Sequence, residues 1–386
     1  MNYILIIGTF EAIFLILLLL SKKNKTRSDL FLGIILSLYA SSIFTTYIEI
    51  YNIQNNFPYP QIINLNWLIM FLHGPALWFY IKSLSSPVFR FKLTYLLHFI
   101  PFLAFLIAHY FNFINLPAVE KIHIAKSELF KDQAFYKISV LSIGISTISY
   151  NLWALKLIQK HRHNLLFNFS KIEDIDLNWL RILTIASLIC FGVNHALFNL
   201  DLIFHYASHK ILSLTVYSFA SVYILVIGYF GLQQKKVFVN RDIENQLTFD
   251  KSARIKRSGT SRKEDNEFIN ILLSFMEQKQ PFLDPEITIS KLSELLKVKT
   301  EYLSEILNLH LNRTFFDFIN KYRVEEFKVQ CVSETNSHLS IMGIAYNCGF
   351  NSKASFYRAF NKFEGISPSA YIQNVSQNSE TAILGK

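Results

Sequence analysis

Seven stretches of this 386-residue chain are long and apolar enough to cross a bilayer core, and all of them end before residue 233. Such a crossing takes roughly 20 helical residues at about 1.5 Å each. Residues 30–48, 62–81, 93–113, 138–155, 182–200 and 211–232 contain no Asp, Glu, Lys or Arg. Residues 3–20 are equally apolar but carry Glu11. This first run has no basic segment before it and no small-residue cleavage site, so it is expected to remain as helix 1 rather than act as a signal peptide. A mean hydropathy of +0.27, with 51% hydrophobic and 17% charged residues, agrees with a chain that is apolar for a soluble protein. Disordered, collagenous and disulfide-scaffold classes are excluded by 12 Gly, 9 Pro and 3 Cys. Cys190, Cys331 and Cys348 form no CxxC pair and suggest neither a metal site nor a redox site.

Charge placement sets an expected orientation. Lys22, Lys23, Lys25 and Arg27 follow the first run, and Arg90 and Lys92 follow the third. Lys156, Lys160, Arg162 and Lys171 follow the fifth, and Lys235 and Lys236 follow the seventh. The alternate loops are neutral: residues 51–61 have no Lys or Arg, and Lys121, Lys126 and Lys131 are balanced by Glu120, Glu128 and Asp132. By the positive-inside bias the N-terminus lies outside and the C-terminus in the cytoplasm. Most of the net +10 therefore reads as membrane topology: residues 1–232 hold 17 Lys/Arg against 10 acids.

Residues 233–263 turn polar and basic, with nine Lys/Arg against three acids, and read as a cytoplasmic linker. Such a linker is solvated, or it meets anionic lipid or DNA phosphate. Beyond it come short amphipathic helical runs without strand-like alternation. Ser340 is a good N-cap for residues 341–346, Gly349 suits a left-handed turn, and Asn351 or Ser352 caps the next helix. There Phe356, Phe360 and Phe363 make one apolar stripe, and Ala354, Arg358 and Asn361 project from the opposite face. That combination suits a recognition helix in the major groove. Upstream the plan repeats: a helix over 289–296, a break at 297–299, then a helix over 300–309. In the latter Leu303, Ile306 and Leu307 point inward, and Glu301, Ser304, Glu305 and Asn308 point outward. A longer helix over about 314–331 joins the two units.

Residues 341–371 (IMGIAYNCGFNSKASFYRAFNKFEGISPSAY) closely resemble the C-terminal signature of the AraC/XylS family of transcription regulators. The runs 302–307 (YLSEIL) and 316–327 (FDFINKYRVEEF) resemble that family's first unit and joining helix. The resemblance implies about seven helices over residues 264–374, with two recognition helices reading successive major-groove segments. It implies base-facing sites at Lys353, Ala354 and Arg358, with Tyr357, Asn361 and Lys362 beside them, and at Glu301, Ser304 and Glu305 with Asn308. The phrases GPALWFY at 74–80 and HFIP at 98–101 resemble, more weakly, a membrane-fused group common in Bacteroidota. Residues 264–312 depart from a basic footprint, with four Lys against nine acids, whereas 313–374 have seven cations against five acids.

Ionisable residues within apolar runs are functional candidates by default. Glu11 and His73 lie at similar depth; either a protonated Glu or a Glu–His pair merely glues helices together, or the two mark a sensing site. A second group lies toward the outer face: Glu49, His109, His195, Asn199, Asp201, His205 and His209. Asp201, His205 and His209 are spaced for metal binding only if their helix continues that far, and wet interfacial histidines are the simpler reading. No GxGxxG, P-loop, HExxH or GxSxG motif occurs, and no cofactor is expected.

The expected class is all-α: a seven-helix transmembrane domain over 1–232, the linker over 233–263, an AraC-type domain over 264–374 and a polar tail over 375–386. The expected function is a non-enzymatic, membrane-integral one-component regulator in the bacterial inner membrane, binding promoter DNA under control of a membrane or periplasmic signal. Its expected partners are double-stranded DNA, the lipid bilayer, an unknown small ligand or membrane signal, a second copy in a homodimer, and RNA polymerase. The competing reading is a transport or receptor protein whose helix-turn-helix units serve as a protein-interaction module.

Overall fold

The computed structural model describes residues 3–86, 89–127, 129–173, 175–207, 209–233 and 262–384. Most of the basic linker, residues 234–261, therefore lies outside the described residues. Regular structure among the described residues is helical. The chain divides into two compact units, one of Met1–Lys160 with Leu177–Val237, the other of His161–Asp176 with Phe238–Lys386.

The first unit contains α1 (Tyr3–Ser21), α2 (Arg27–Gln54), α3 (Asn66–Leu84), α4 (Ile100–His109), α5 (Ala118–Ser127), most of α6 (Ala134–Asn168), α7 (Asn178–Phe204) and α8 (His209–Gln233). Among the described residues, seven helical stretches are long and apolar enough to cross a membrane, in the places the apolar runs of the sequence indicate. A capping box starts α2: Thr26 Oγ1 accepts from the Asp29 N–H, and the Asp29 carboxylate accepts from the Thr26 N–H at 2.6 Å. Lys22 pairs with the same carboxylate at 2.6 Å. Helix α1 packs against α2 and α8, and α2 also packs against α3. Gly8 permits the close approach of α1 to α8, since a Cβ there would collide with Ser221. Outward faces keep large apolar side chains exposed, such as Phe10 and Phe14 on α1 and Ile182 and Ile189 on α7. The segment between the fourth and fifth apolar stretches, expected as a loop, carries the short helix α5.

The second unit holds α9 (Arg262–Lys279), α10 (Ile289–Leu295), α11 (Thr300–Glu305), α12 (Phe315–Cys331), α13 (Ile341–Asn347), α14 (Lys353–Glu364) and α15 (Pro368–Leu384). Helix α15 runs on through the stretch expected as a polar tail. After Pro368 no Pro or Gly interrupts it before Gly385. Two apolar cores form. Leu272, Met276, Phe282, Ile289, Leu292, Leu303, Ile306 and Leu307 build the first around Phe315, Phe318 and Ile319. Ile344, Ala345, Cys348, Phe350, Phe356, Ala359 and Phe360 build the second around Val324 and Phe327. Helix α12 thus gives its first half to one core and its second half to the other.

Between those halves lies Arg323, 2% exposed. Its guanidinium donates to the Phe282 carbonyl at 2.8 Å, to the Asp284 carbonyl at 2.8 Å and to Asn320 Oδ1 at 3.3 Å. Burial pushes its pKa down to about 10, against the opposing pull of Asp284, Glu173 and Glu286. It therefore stays charged at neutral pH and ties the 281–284 turn to α12. Gly349, at φ +88°, closes the same junction, and a Cβ there would lie 2.5 Å from the Phe282 carbonyl oxygen.

Residues 161–176 fold with this second unit. Leu165, Phe169 and Ile172 bury against Phe316. Phe169 bridges antiparallel to Thr288, and Ser170 Oγ donates to the Ile287 carbonyl at 2.8 Å. Arg323 and Asn320 reach the Ser170 hydroxyl and carbonyl, each at 3.4 Å.

Candidate nucleic-acid interface

Helix α14 is preorganised at both ends. Ser352 Oγ accepts from the Ser355 N–H at 3.1 Å, and Gly365, at φ +73°, closes the last turn. Ser340 caps α13 in the same way through the Gly343 N–H at 3.0 Å. Phe356, Ala359 and Phe360 are buried, so the sequence stripe does face the core. Lys353, Ala354, Arg358, Asn361 and Lys362 are exposed and Tyr357 is half-buried. Lys353 Nζ lies 5.4 Å from the Tyr357 ring centroid, Lys362 pairs with Asp317 at 2.6 Å, and Arg358 lies 3.9 Å from Glu173. A helix with one seated face and one cationic exposed face can enter a major groove and present a guanidinium to guanine.

The upstream helix is built differently. Helix α11 has six residues and passes into a widened turn over Ile306–His310. Leu303, Ile306 and Leu307 are buried, Glu301 is exposed, and Ser304, Glu305 and Asn308 are half-buried. Asn308 is engaged with its own helix, donating to the Ser304 carbonyl at 2.7 Å. Tyr302 donates to Asp265 at 2.9 Å, and burial followed by this carboxylate pushes its phenol up to about 12. Two carboxylates and no cation stand at the sites the resemblance assigns here.

A helix-turn-helix domain family matches residues 292–374. The C-terminal part of the chain is an AraC-type helix-turn-helix domain. The chain is similar to the melibiose operon regulatory protein of Escherichia coli strain K12, 26% identical over 135 residues, which is 35% of this chain and 42% of the relative. It is similar to the raffinose operon transcriptional regulatory protein of Pediococcus pentosaceus, 26% identical over 109 residues, 28% of this chain and 37% of the relative. It is also similar to an uncharacterized HTH-type transcriptional regulator of Bacillus subtilis strain 168, 23% identical over 159 residues, 39% of this chain and 20% of the relative. The chain thus spans less than half the length of these relatives. No solved structure matches.

The AraC-type domain accounts for α10 to α15; the polar residues of the first unit lie elsewhere. His73 stacks on Tyr39 with centroids 4.3 Å apart, and its Nε2 is 3.5 Å from Ser42 Oγ. Glu11 is half-buried on α1, and no hydrogen bond or ion pair joins it to His73 among the described residues. Of the alternatives for these two residues, the direct pair is not formed, because α1 packs on α2 and α8 rather than on α3. His109 is buried among the rings of Phe105, Phe113 and Phe135. His195 lies against Gly144, and its carbonyl accepts from Asn199 at 2.7 Å.

The metal spacing at the outer face does not materialise. Helix α7 ends at Phe204, and His205 takes a left-handed conformation, so no continuous helix carries Asp201 and His205 onto one face. Asp201 instead pairs with Lys131 at 2.8 Å and accepts from the Ala207 N–H at 2.9 Å. His205 is exposed, 3.7 Å from Asp132. Among the described residues no three metal-ligating side chains come together. The His209 side chain lies outside the described residues.

Sequence reasoning passed over Arg323, Ser170 and Glu173. A lone Arg on an amphipathic helix reads as surface, and loop acids near a run of Lys and Arg read as solvated. One sequence signal for Arg323 was present: it stands where the stripe of Phe315, Phe316, Ile319 and Phe327 would place an apolar residue.

Proposed function

We propose that the chain is a membrane-integral, one-component transcription regulator whose AraC-type domain binds promoter DNA under control of a signal met in the membrane or periplasm. One observation carries this reading. An AraC-type helix-turn-helix domain shares a single chain with seven helices long and apolar enough to cross a membrane. Apolar side chains exposed on α1 and α7 suit lipid contact, and the Lys/Arg bias supports a DNA-binding part on the cytoplasmic side of a bacterial inner membrane. Relatives named as operon regulators support transcriptional control as the output. Lys353, Ala354, Tyr357, Arg358, Asn361 and Lys362 supply the main DNA-facing surface, and Glu301, Ser304, Glu305 and Asn308 a secondary one. Glu11, His73, His109, His195, Asp201 and His205 are the polar groups through which a signal would act. A second copy and RNA polymerase are the protein partners this function calls for.

The test is selection of DNA by the full chain in a lipid nanodisc from a pool of random duplexes at low salt. Enrichment of one motif is expected. No enrichment would overturn the reading and favour a transport or receptor protein using these helices to bind protein, which the four Lys against nine acids of residues 264–312 would suit.

A further inference from the structure

The second unit contains a segment that no DNA-binding role requires. Residues 161–176 comprise the last turns of the fifth apolar helix, α6, and the stretch that follows it, and are fixed to the AraC-type domain by specific contacts. Ser170 is buried and joined to Ile287, Asn320 and Arg323, while Phe169 and Ile172 pack against Phe316. Three residues beyond this anchor, Glu173 turns toward the exposed face of α14. Its Oε1 is 3.9 Å from the Arg358 guanidinium. Neither oxygen of this carboxylate reaches solvent or a hydrogen-bond donor. Arg358 is half exposed and is the one arginine of α14, the side chain whose planar fork matches guanine O6 and N7.

A buried carboxylate without hydrogen bonds is costly unless a cation faces it. Glu173 feels two cations: the buried Arg323, on which it pulls, and Arg358, the group that would otherwise face DNA. We infer that Glu173 is an intramolecular competitor of DNA for Arg358: the 161–176 segment docks on the domain and offers the recognition helix a carboxylate in place of a nucleic-acid acceptor. DNA must displace Glu173 to gain Arg358, and displacement moves Glu173 into water. Because Ser170 is anchored and the segment continues α6, a shift of that helix end changes how far Glu173 reaches. This inference rests on the regulator reading and names the contact through which a signal would reach the DNA-binding face.

The experiment uses the full chain in nanodiscs and the duplex that the wild-type chain enriches from a random pool. Wild type, Glu173→Gln, Arg358→Ala and the double variant are compared by titration, with melting curves to show that each is folded. Glu173→Gln keeps shape and removes charge, so it is expected to tighten binding roughly two- to fivefold, the scale of a partly exposed ion pair. In the Arg358→Ala background that gain is expected to vanish. A gain of the same size in both backgrounds would mean general repulsion between acid and phosphate, and would overturn the competition. Unchanged affinity of a folded Glu173→Gln would overturn it too, leaving the regulator reading intact. If no variant enriches any duplex, the regulator reading fails and the competition with it.

Discussion

Lys131 and Asp201 form an ion pair of 2.8 Å in which both side chains are almost wholly buried, at 4% and 2% exposure. Lys131 also donates to the Ala207 carbonyl at 2.8 Å, so the pair ties the segment before α6 to the end of α7. Removing one partner strands a buried charge. Lys131→Met should therefore destabilise the first unit by about 3–5 kcal/mol, and Lys131→Met with Asp201→Leu by much less. Thermal unfolding of the nanodisc-held chain measures both, and equal losses would show that the pair contributes shape rather than charge balance.

Topology is the most direct check of the charge-bias argument. A reporter active only in the cytoplasm should work when fused after Lys236 and be silent when inserted at Asn55. The reverse pattern would place the AraC-type domain on the wrong side of the membrane for DNA.

Gly349→Ala should cost at least about 1–3 kcal/mol, the strain of a non-glycine residue at positive φ. Its Cβ would also press on the Phe282 carbonyl that Arg323 holds. The loss should appear as a lower melting temperature of the second unit with the first unchanged.

The two DNA-facing helices should contribute unequally. Arg358→Ala should weaken binding to the enriched duplex by about 1–3 kcal/mol and relax preference at one base position. Glu305→Ala, which removes a charge that phosphate repels, should leave affinity equal or tighter. Greater weakening by Glu305→Ala than by Arg358→Ala would reverse the ranking of α14 over α11.

His73→Ala removes the ring stacked on Tyr39. Promoter output in cells should change while the affinity of the purified chain for its duplex stays the same. Normal insertion with normal output would make His73 a packing residue.

What could be read in advance follows from how local each signal is. Long apolar runs, six of them charge-free, report the seven apolar helices because length and hydropathy are properties of one segment. Ser340, Ser352 and Gly349 announce their roles because caps and left-handed turns depend on a few adjacent residues. Phe356 and Phe360 face the core because a period of 3.6 residues is visible along one helix. Contacts across long sequence separations left no such trace. Ser170 meets Ile287 and Arg323 only after folding, and Lys171, read as a topology charge, pairs with Glu286. The widening of the helix after α11 was hidden because Ile306 and Leu307 keep an apolar rhythm through the wider turn. The fate of Asp201, His205 and His209 turned on where α7 stops, and spacing alone does not show that.

Helix α12 sits in both cores of the AraC-type domain, and this bears on the operator rather than on the protein. Two reading heads mounted on one stiff rod cannot slide apart or rotate independently, so the distance and phase between the base steps they touch are set before any DNA arrives. On the regulator reading, a promoter bound through both heads would carry its half-sites at one fixed separation. Adding about five base pairs between them, half a turn of the duplex, would carry the second half-site to the opposite side of the double helix. On that reading, a search for target genes would discard any candidate in which the two half-sites vary in spacing, however well each matches alone.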